Sequence, residues 1–155
     1  MANKQKILLV EDNSDFRELL AIVLRRSGYE VAEAATGLTA VEQASATHPD
    51  LILMDLGLPG ITGDEATARL KADPSTRDIP VIINTAFHKG ALVERAIAAG
   101  AAEILHKPIS FEALQEVVRR YLSSDYPFNG SHSRTNPQVL RSDQTTLSAS
   151  KQVSI

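Results

Sequence analysis

The chain has 155 residues, of which 43% are hydrophobic and 23% charged, an ordinary composition for one soluble domain plus a tail but too short for two domains. A formal net charge of −3 gives no electrostatic case for nucleic acid or an anionic membrane as a direct partner. The absence of cysteine removes disulfides, thiolate metal sites and cysteine nucleophiles, and it fits a reducing compartment.

The first apolar run is Lys6–Val10, stopped by Glu11-Asp12. Four consecutive aliphatic residues are too few for a signal-peptide core or a membrane span, so a cytoplasmic protein is expected. A helix over Ser14–Arg26 follows, with Phe16, Leu19, Leu20, Val23 and Leu24 as its apolar stripe and Gly28 as its stop. A weaker, alternating strand covers 29–34. Thr36 can cap a second helix that ends before His48-Pro49. Leu51–Met54 is apolar throughout. A third helix holds Ala66 and Leu70 and ends before Asp73-Pro74. The fourth strand is 81–83, and the fourth helix carries Leu92, Ala96 and Ile97 with Gly100 as its C-cap. The fifth strand is 102–105. A fifth helix starts at Ser110, with Ile109 and Leu114 placed for a hydrophobic staple, and its stripe is Leu114, Val117, Val118, Tyr121 and Leu122.

Five strands alternating with five helices predict an α/β fold. Right-handed crossovers would build a five-stranded parallel sheet covered on both sides, doubly wound, in the flavodoxin-like order 2-1-3-4-5. Continuous apolar strands agree with burial on both faces. From residue 123 to 155 the composition turns to Ser, Thr, Asn and Gln with no trusted period. That segment reads as a flexible polar tail, and the domain as 1–122.

The polar residues at strand ends carry the chemistry. Glu11 and Asp12 follow the first strand, Asp55 the third, Thr85 the fourth and Lys107 the fifth. All lie at carboxyl ends, where this architecture holds its ligands. Taken singly each is ordinary: a helix cap, a turn residue, a surface charge. Together, carboxylates that repel one another call for a hard cation such as magnesium. An ammonium and a hydroxyl beside them suit a phosphoryl group, which offers acceptor oxygens to both.

The blocks Val10-Glu11-Asp12-Asn13, Leu53-Met54-Asp55-Leu56-Gly57-Leu58-Pro59-Gly60, Thr85-Ala86 and His106-Lys107-Pro108 resemble the signature of receiver domains of two-component response regulators, over about residues 5–122. The resemblance implies that Asp55 is the nucleophile accepting phosphoryl from a phosphohistidine of a sensor histidine kinase or histidine phosphotransfer protein. It implies Mg2+ bound by Asp12, Asp55 and the Gly57 carbonyl oxygen, with Glu11 acting nearby through water. Lys107 would pair with Asp55 and then with the phosphoryl oxygens. Thr85 would turn its hydroxyl to that group, and the Ala86 backbone N–H would donate to it. A cis Lys107-Pro108 bond is also implied. The function implied is a single-domain response regulator in a phosphorelay, a phosphoacceptor switch and not an enzyme beyond slow autophosphorylation from small donors and self-dephosphorylation. It would act as a monomer or weak dimer and signal to a downstream protein through the face built from the fourth helix, fifth strand and fifth helix.

Three positions depart from that pattern or qualify it. Ile104 stands where the family usually carries Tyr or Phe, whose ring swings inward as the threonine engages phosphate; a smaller side chain, stiff at χ1, puts that coupling in question. Asn84 stands where an apolar strand residue is expected. Gly57 leaves room for water that Phe87 would screen. Ile104 and Asn84 keep open the alternative of a phosphorylation-independent receiver-like binding module. A phosphohydrolase using an aspartyl-phosphate would need a second Asp two residues after the nucleophile, where Gly57 stands. His48, His88, His106 and His132 are scattered and receive no metal or catalytic role; His106 is expected to point away from the face used by Lys107.

Overall fold

Each of the five apolar runs forms a strand and each periodic segment a helix in the computed structural model, which describes residues 3–123. The strands are β1 (Lys6–Val10), β2 (Glu30–Ala34), β3 (Leu51–Met54), β4 (Val81–Thr85) and β5 (Glu103–His106). The helices are α1 (Ser14–Arg26), α2 (Gly37–Thr47), α3 (Gly63–Ala72), α4 (Ala91–Ala99) and α5 (Phe111–Leu122). All strands pair in parallel in the order β2-β1-β3-β4-β5, as the alternation of elements predicts. The polar tail lies outside the described residues, apart from Ser123.

Side-chain alternation sends each strand's residues to two cores. Leu8, Val10, Ile52, Met54, Val81 and Ile83 pack against small residues of α2, α3 and α4, among them Ala40, Ala66 and Ala96. Ile7, Leu9, Leu51, Leu53, Ile82 and Leu105 pack against α1 and α5, where Leu20, Leu24, Leu114 and Val118 meet them. Such wholly buried aliphatic side chains each contribute about 1.5–3 kcal/mol. The caps follow the sequence: Thr36 accepts from the Thr39 N–H, Ser110 from the Ala113 N–H, and Gly100 takes the left-handed conformation at φ 109°. Asn13 caps α1 by accepting from the Phe16 N–H.

Differences from the sequence reading are local. The fourth strand runs two residues further, through Asn84 and Thr85, because the ladder with β5 continues to Thr85↔His106. The buried edge of α1 is Leu20, Ala21 and Leu24, while Leu19 and Ile22 are exposed. Asn84 is buried and its Oδ1 finds no hydrogen-bond partner among the described residues.

Candidate functional site

The sheet reverses direction at β1: the chain steps to β2 on one side and to β3 on the other. The crevice at the carboxyl ends of β1 and β3 is therefore the switch point where doubly wound sheets hold ligands. Val10 pairs with Met54, so the residues that follow, Glu11-Asp12 and Asp55, emerge side by side. Backbone bonds continue past the strands: the Glu11 N–H donates to the Ala34 carbonyl at 3.0 Å and the Asp55 N–H to the Val10 carbonyl at 3.1 Å.

Carboxylate oxygens of Glu11, Asp12 and Asp55 all lie within 4.8 Å of one another. Lys107 joins them from the end of β5, its Nζ donating to Glu11 Oε2 at 3.1 Å and Asp55 Oδ2 at 3.3 Å. The Lys107-Pro108 peptide bond is cis. Three carboxylates against one ammonium leave two formal negative charges in excess. A divalent cation balances that excess, and an all-oxygen donor set with one open, solvent-facing side suits magnesium. The acids also differ in setting: Glu11 is buried, Asp55 half-buried and Asp12 exposed. Burial is the main cause holding the Glu11 carboxyl above its ordinary range, opposed by its bond from Lys107 and assisted by the Asp55 charge.

Asp55 Oδ1 accepts from the Leu56 N–H at 2.7 Å, which leaves Oδ2, facing Lys107, as its outward oxygen. Gly57 follows in the exposed loop, where a Cβ would sit 3.4 Å from the Phe87 ring. Across the crevice Thr85 is buried, and its Oγ1 accepts from the Phe87 N–H at 3.2 Å. The Thr85 carbonyl accepts from the Lys107 N–H at 2.8 Å, tying the ends of β4 and β5. Ala86 is the exposed residue next to Thr85. The structure thus gathers Glu11, Asp12, Asp55 and Lys107 by direct contact or proximity, with Gly57, Thr85 and Ala86 on the loops around them. While Lys107 reaches the carboxylates, His106 stacks on His88 with ring centroids 5.0 Å apart, and its Nδ1 lies 3.2 Å from the Phe87 carbonyl.

This sequence resembles known proteins over the same region. The family model for the response regulator receiver domain matches residues 7–119. The chain belongs to the receiver domain family. A polar-differentiation response regulator, DivK, from Brucella ovis is 40% identical over 118 residues, covering 76% of this chain and 96% of that protein. Among solved structures, the receiver domain of a sensor histidine kinase from Pseudomonas aeruginosa, with magnesium coordinated in its active-site cleft, is 36% identical with a TM-score of 0.72, covering 77% of this chain and 98% of the other. The chemotaxis response regulator CheY4 of Vibrio cholerae is 28% identical with the same TM-score, 0.72, over 77% and 100% of the two chains. Receiver domains are signalling switches of two-component systems, not classical enzymes.

Two contacts of this receiver domain escape a sequence reading. Phe16, which looks like a core residue, lies under Lys107, whose Nζ sits 4.8 Å from its ring centroid. An aromatic face in that position attracts the ammonium and limits its swing. Arg17 donates to the Glu11 carbonyl at 2.7 Å and pairs with Glu33 at 3.3 Å, fixing the acidic loop from behind. Their only sequence signal is a position one helical turn after the acidic pair. Among the described residues no helix is long and apolar enough to cross a membrane.

Proposed function

We propose that Asp55 accepts a phosphoryl group from the phosphohistidine of a sensor histidine kinase or histidine phosphotransfer protein, making this receiver domain a switch in a phosphorelay. The observation that carries the reading is the cluster of three carboxylates within 4.8 Å faced by a single ammonium. Its two-charge excess is what a divalent cation balances, and that cation together with Lys107 offsets the negative charge of an incoming phosphoryl group.

In the transfer the P–N bond to imidazole breaks, its electron pair stays on the ring nitrogen, and an Asp55 oxygen forms the new P–O bond. Little covalent help is required; positioning and charge neutralisation do most of the work. Asp12, Asp55 and the Gly57 carbonyl oxygen would hold Mg2+, with Glu11 nearby through water. The bound ion supplies charge neutralisation for the phosphoryl oxygens. Magnesium in the cleft of the Pseudomonas aeruginosa receiver domain supports the same choice here. Asp55 Oδ1 is engaged by the Leu56 N–H, so Oδ2 is the oxygen offered to phosphorus. Lys107 then follows the charge from carboxylate to phosphoryl oxygen. The Thr85 hydroxyl turns from the Phe87 N–H to donate to the same group, and the Ala86 N–H donates beside it. The ATP-charged kinase such a chain needs is cytoplasmic, and so is the expected location. Downstream binding is assigned to the face of α4, β5 and α5, by a monomer or weak dimer, with residues 123–155 as a tail.

The test is incubation with acetyl phosphate and magnesium chloride, read by intact mass. The wild-type chain gains one phosphoryl group, and Asp55→Asn gains none; labelling that survives the substitution removes Asp55 from its role. Ile104, half-buried against the apolar core with no ring to swing, favours the second reading, a binding module indifferent to phosphorylation. Equal capture of a partner by the loaded and unloaded forms would select it.

A further inference from the structure

A carboxylate that the phosphoacceptor site does not use is buried next to Gly63, the residue that abuts the Asp55 backbone. Asp64, in the first turn of α3, has a side chain only 6% exposed. Its Oδ2 pairs with Arg95 Nε on α4 at 3.2 Å, and its Oδ1 is buried without a hydrogen-bond partner among the described residues. Arg95 itself is 62% exposed. A carboxylate taken out of water this fully normally has both oxygens occupied. Here one lone-pair site is paired and an equivalent one is vacant.

The position of Asp64 is set by the phosphoacceptor. Gly63 N–H donates to the Leu56 carbonyl at 2.9 Å, and a Cβ on Gly63 would lie 2.2 Å from the Asp55 carbonyl oxygen. The Thr67 hydroxyl holds the Gly63 carbonyl at 2.7 Å from the other side. The start of α3 therefore abuts the Asp55–Leu56 backbone without slack, and Asp64 is the next residue. On the other side, α4 follows the loop that carries Thr85, Ala86 and Phe87. Its N-cap, Gly90, provides no side-chain bond, so the helix is located by Val93 and Ala96 in the core, by lateral packing on α3 and by the Asp64–Arg95 pair.

We propose that Asp64 and Arg95 couple the loading state of Asp55 to α4, supplying a connection that does not pass through Ile104. The proposal rests on the phosphoacceptor reading above. In the resting form Arg95 holds Asp64 at one point. When Thr85 is drawn to the phosphoryl group, the loop before α4 moves and carries the helix with it. The guanidinium then takes the vacant Oδ1 as well, and the contact becomes a two-point fork, which is stronger and directional. The pair has two discrete arrangements, which is what a coupling element requires.

Backbone amide NMR of the full chain, with and without Mg2+ plus beryllofluoride as a phosphoryl mimic, tests this. In the wild type, amides near Asp12, Asp55 and Thr85 shift on loading, and so do those of Ala91–Ala99. In Arg95→Gln the site amides still respond, with apparent affinity changed by no more than about threefold, while the α4 response falls below about half. Asp64→Asn, which keeps the side chain's shape without its charge, gives the same loss and covers the case where the first variant folds poorly. A purely structural role would alter the resting spectrum and melting temperature but leave the loaded-minus-free difference in α4 intact; that result overturns the coupling. If no site amide of the wild type responds, the phosphoacceptor reading fails first and the coupling falls with it.

Discussion

Two buried ion clusters flank β5, and they are built on opposite principles. At the start of the strand, Glu103 is 8% exposed, and both its oxygens accept from Arg120 Nη2, at 3.1 and 3.0 Å. One charge meets one charge and the carboxylate is fully used. Just past the end of the strand, Lys107 meets Glu11 and Asp55 with Asp12 close by, and the acids outnumber the base. The first cluster is closed and holds α5 to the sheet. The second is open, and its imbalance is its capacity to bind. Of the two clusters beside β5, the one whose charges cancel serves the fold, and the one whose charges do not has room for a cation.

Substitutions can separate the two. The largest effect is expected at the open cluster: Lys107→Gln should slow phosphotransfer from acetyl phosphate by about 100-fold while the fold persists, since it removes a charge aimed at the transferring group. A rate within a few-fold of wild type would deny Lys107 that part. At the closed cluster, Glu103→Gln should cost about 2–4 kcal/mol in urea denaturation by stranding a half-buried arginine, with the labelling rate per folded molecule unchanged. The signs then diverge. Asp12→Asn should stabilise the magnesium-free fold by about 0.5–1 kcal/mol, because it relieves repulsion among like charges, and should weaken magnesium binding in titration. A destabilised variant would mean that Asp12 is structural.

Lys71 sharpens the contrast with a cation that forms no salt bridge among the described residues. Its Nζ donates to the Arg77 and Ile79 carbonyls at 2.9 and 2.6 Å, and burial lowers its pKa to about 8, opposed by the Asp78 charge. The folded state therefore disfavours the ammonium relative to the unfolded chain. The stability this group contributes is complete above the ordinary lysine value and is lost as pH falls through about 8. Relative to Lys71→Met, the wild type should gain about 2–3 kcal/mol between roughly pH 7 and pH 10; a flat difference would mean that burial does not shift Lys71.

Most of the architecture is legible in the sequence because it is written locally. Apolar runs, caps at Thr36 and Ser110 and the stop at Gly100 each need only a few neighbours to read. The acids and the lysine are legible because they sit at strand ends, where the topology converts separation in sequence into proximity. What escapes is set by contacts between elements. Leu19 and Leu20 look alike along the chain, yet only the packing of α1 on the sheet decides which is buried. Nothing along the chain around Glu103 announces Arg120, which α5 brings to it. The sequence says nothing of Asp64's burial either, which follows from how α4 lies beside α3. Asn84 is visible as an anomaly in both sequence and structure, and nothing in the structure explains it.

The tight seat of Gly63 against the Asp55 carbonyl has a consequence for variation at this position. With 2.2 Å between that oxygen and any added Cβ, even alanine forces the main chain of Asp55 to move. Substitution there would injure stability and chemistry at one stroke, and no distant repair could restore one without the other. The glycine is in effect part of the mounting of Asp55.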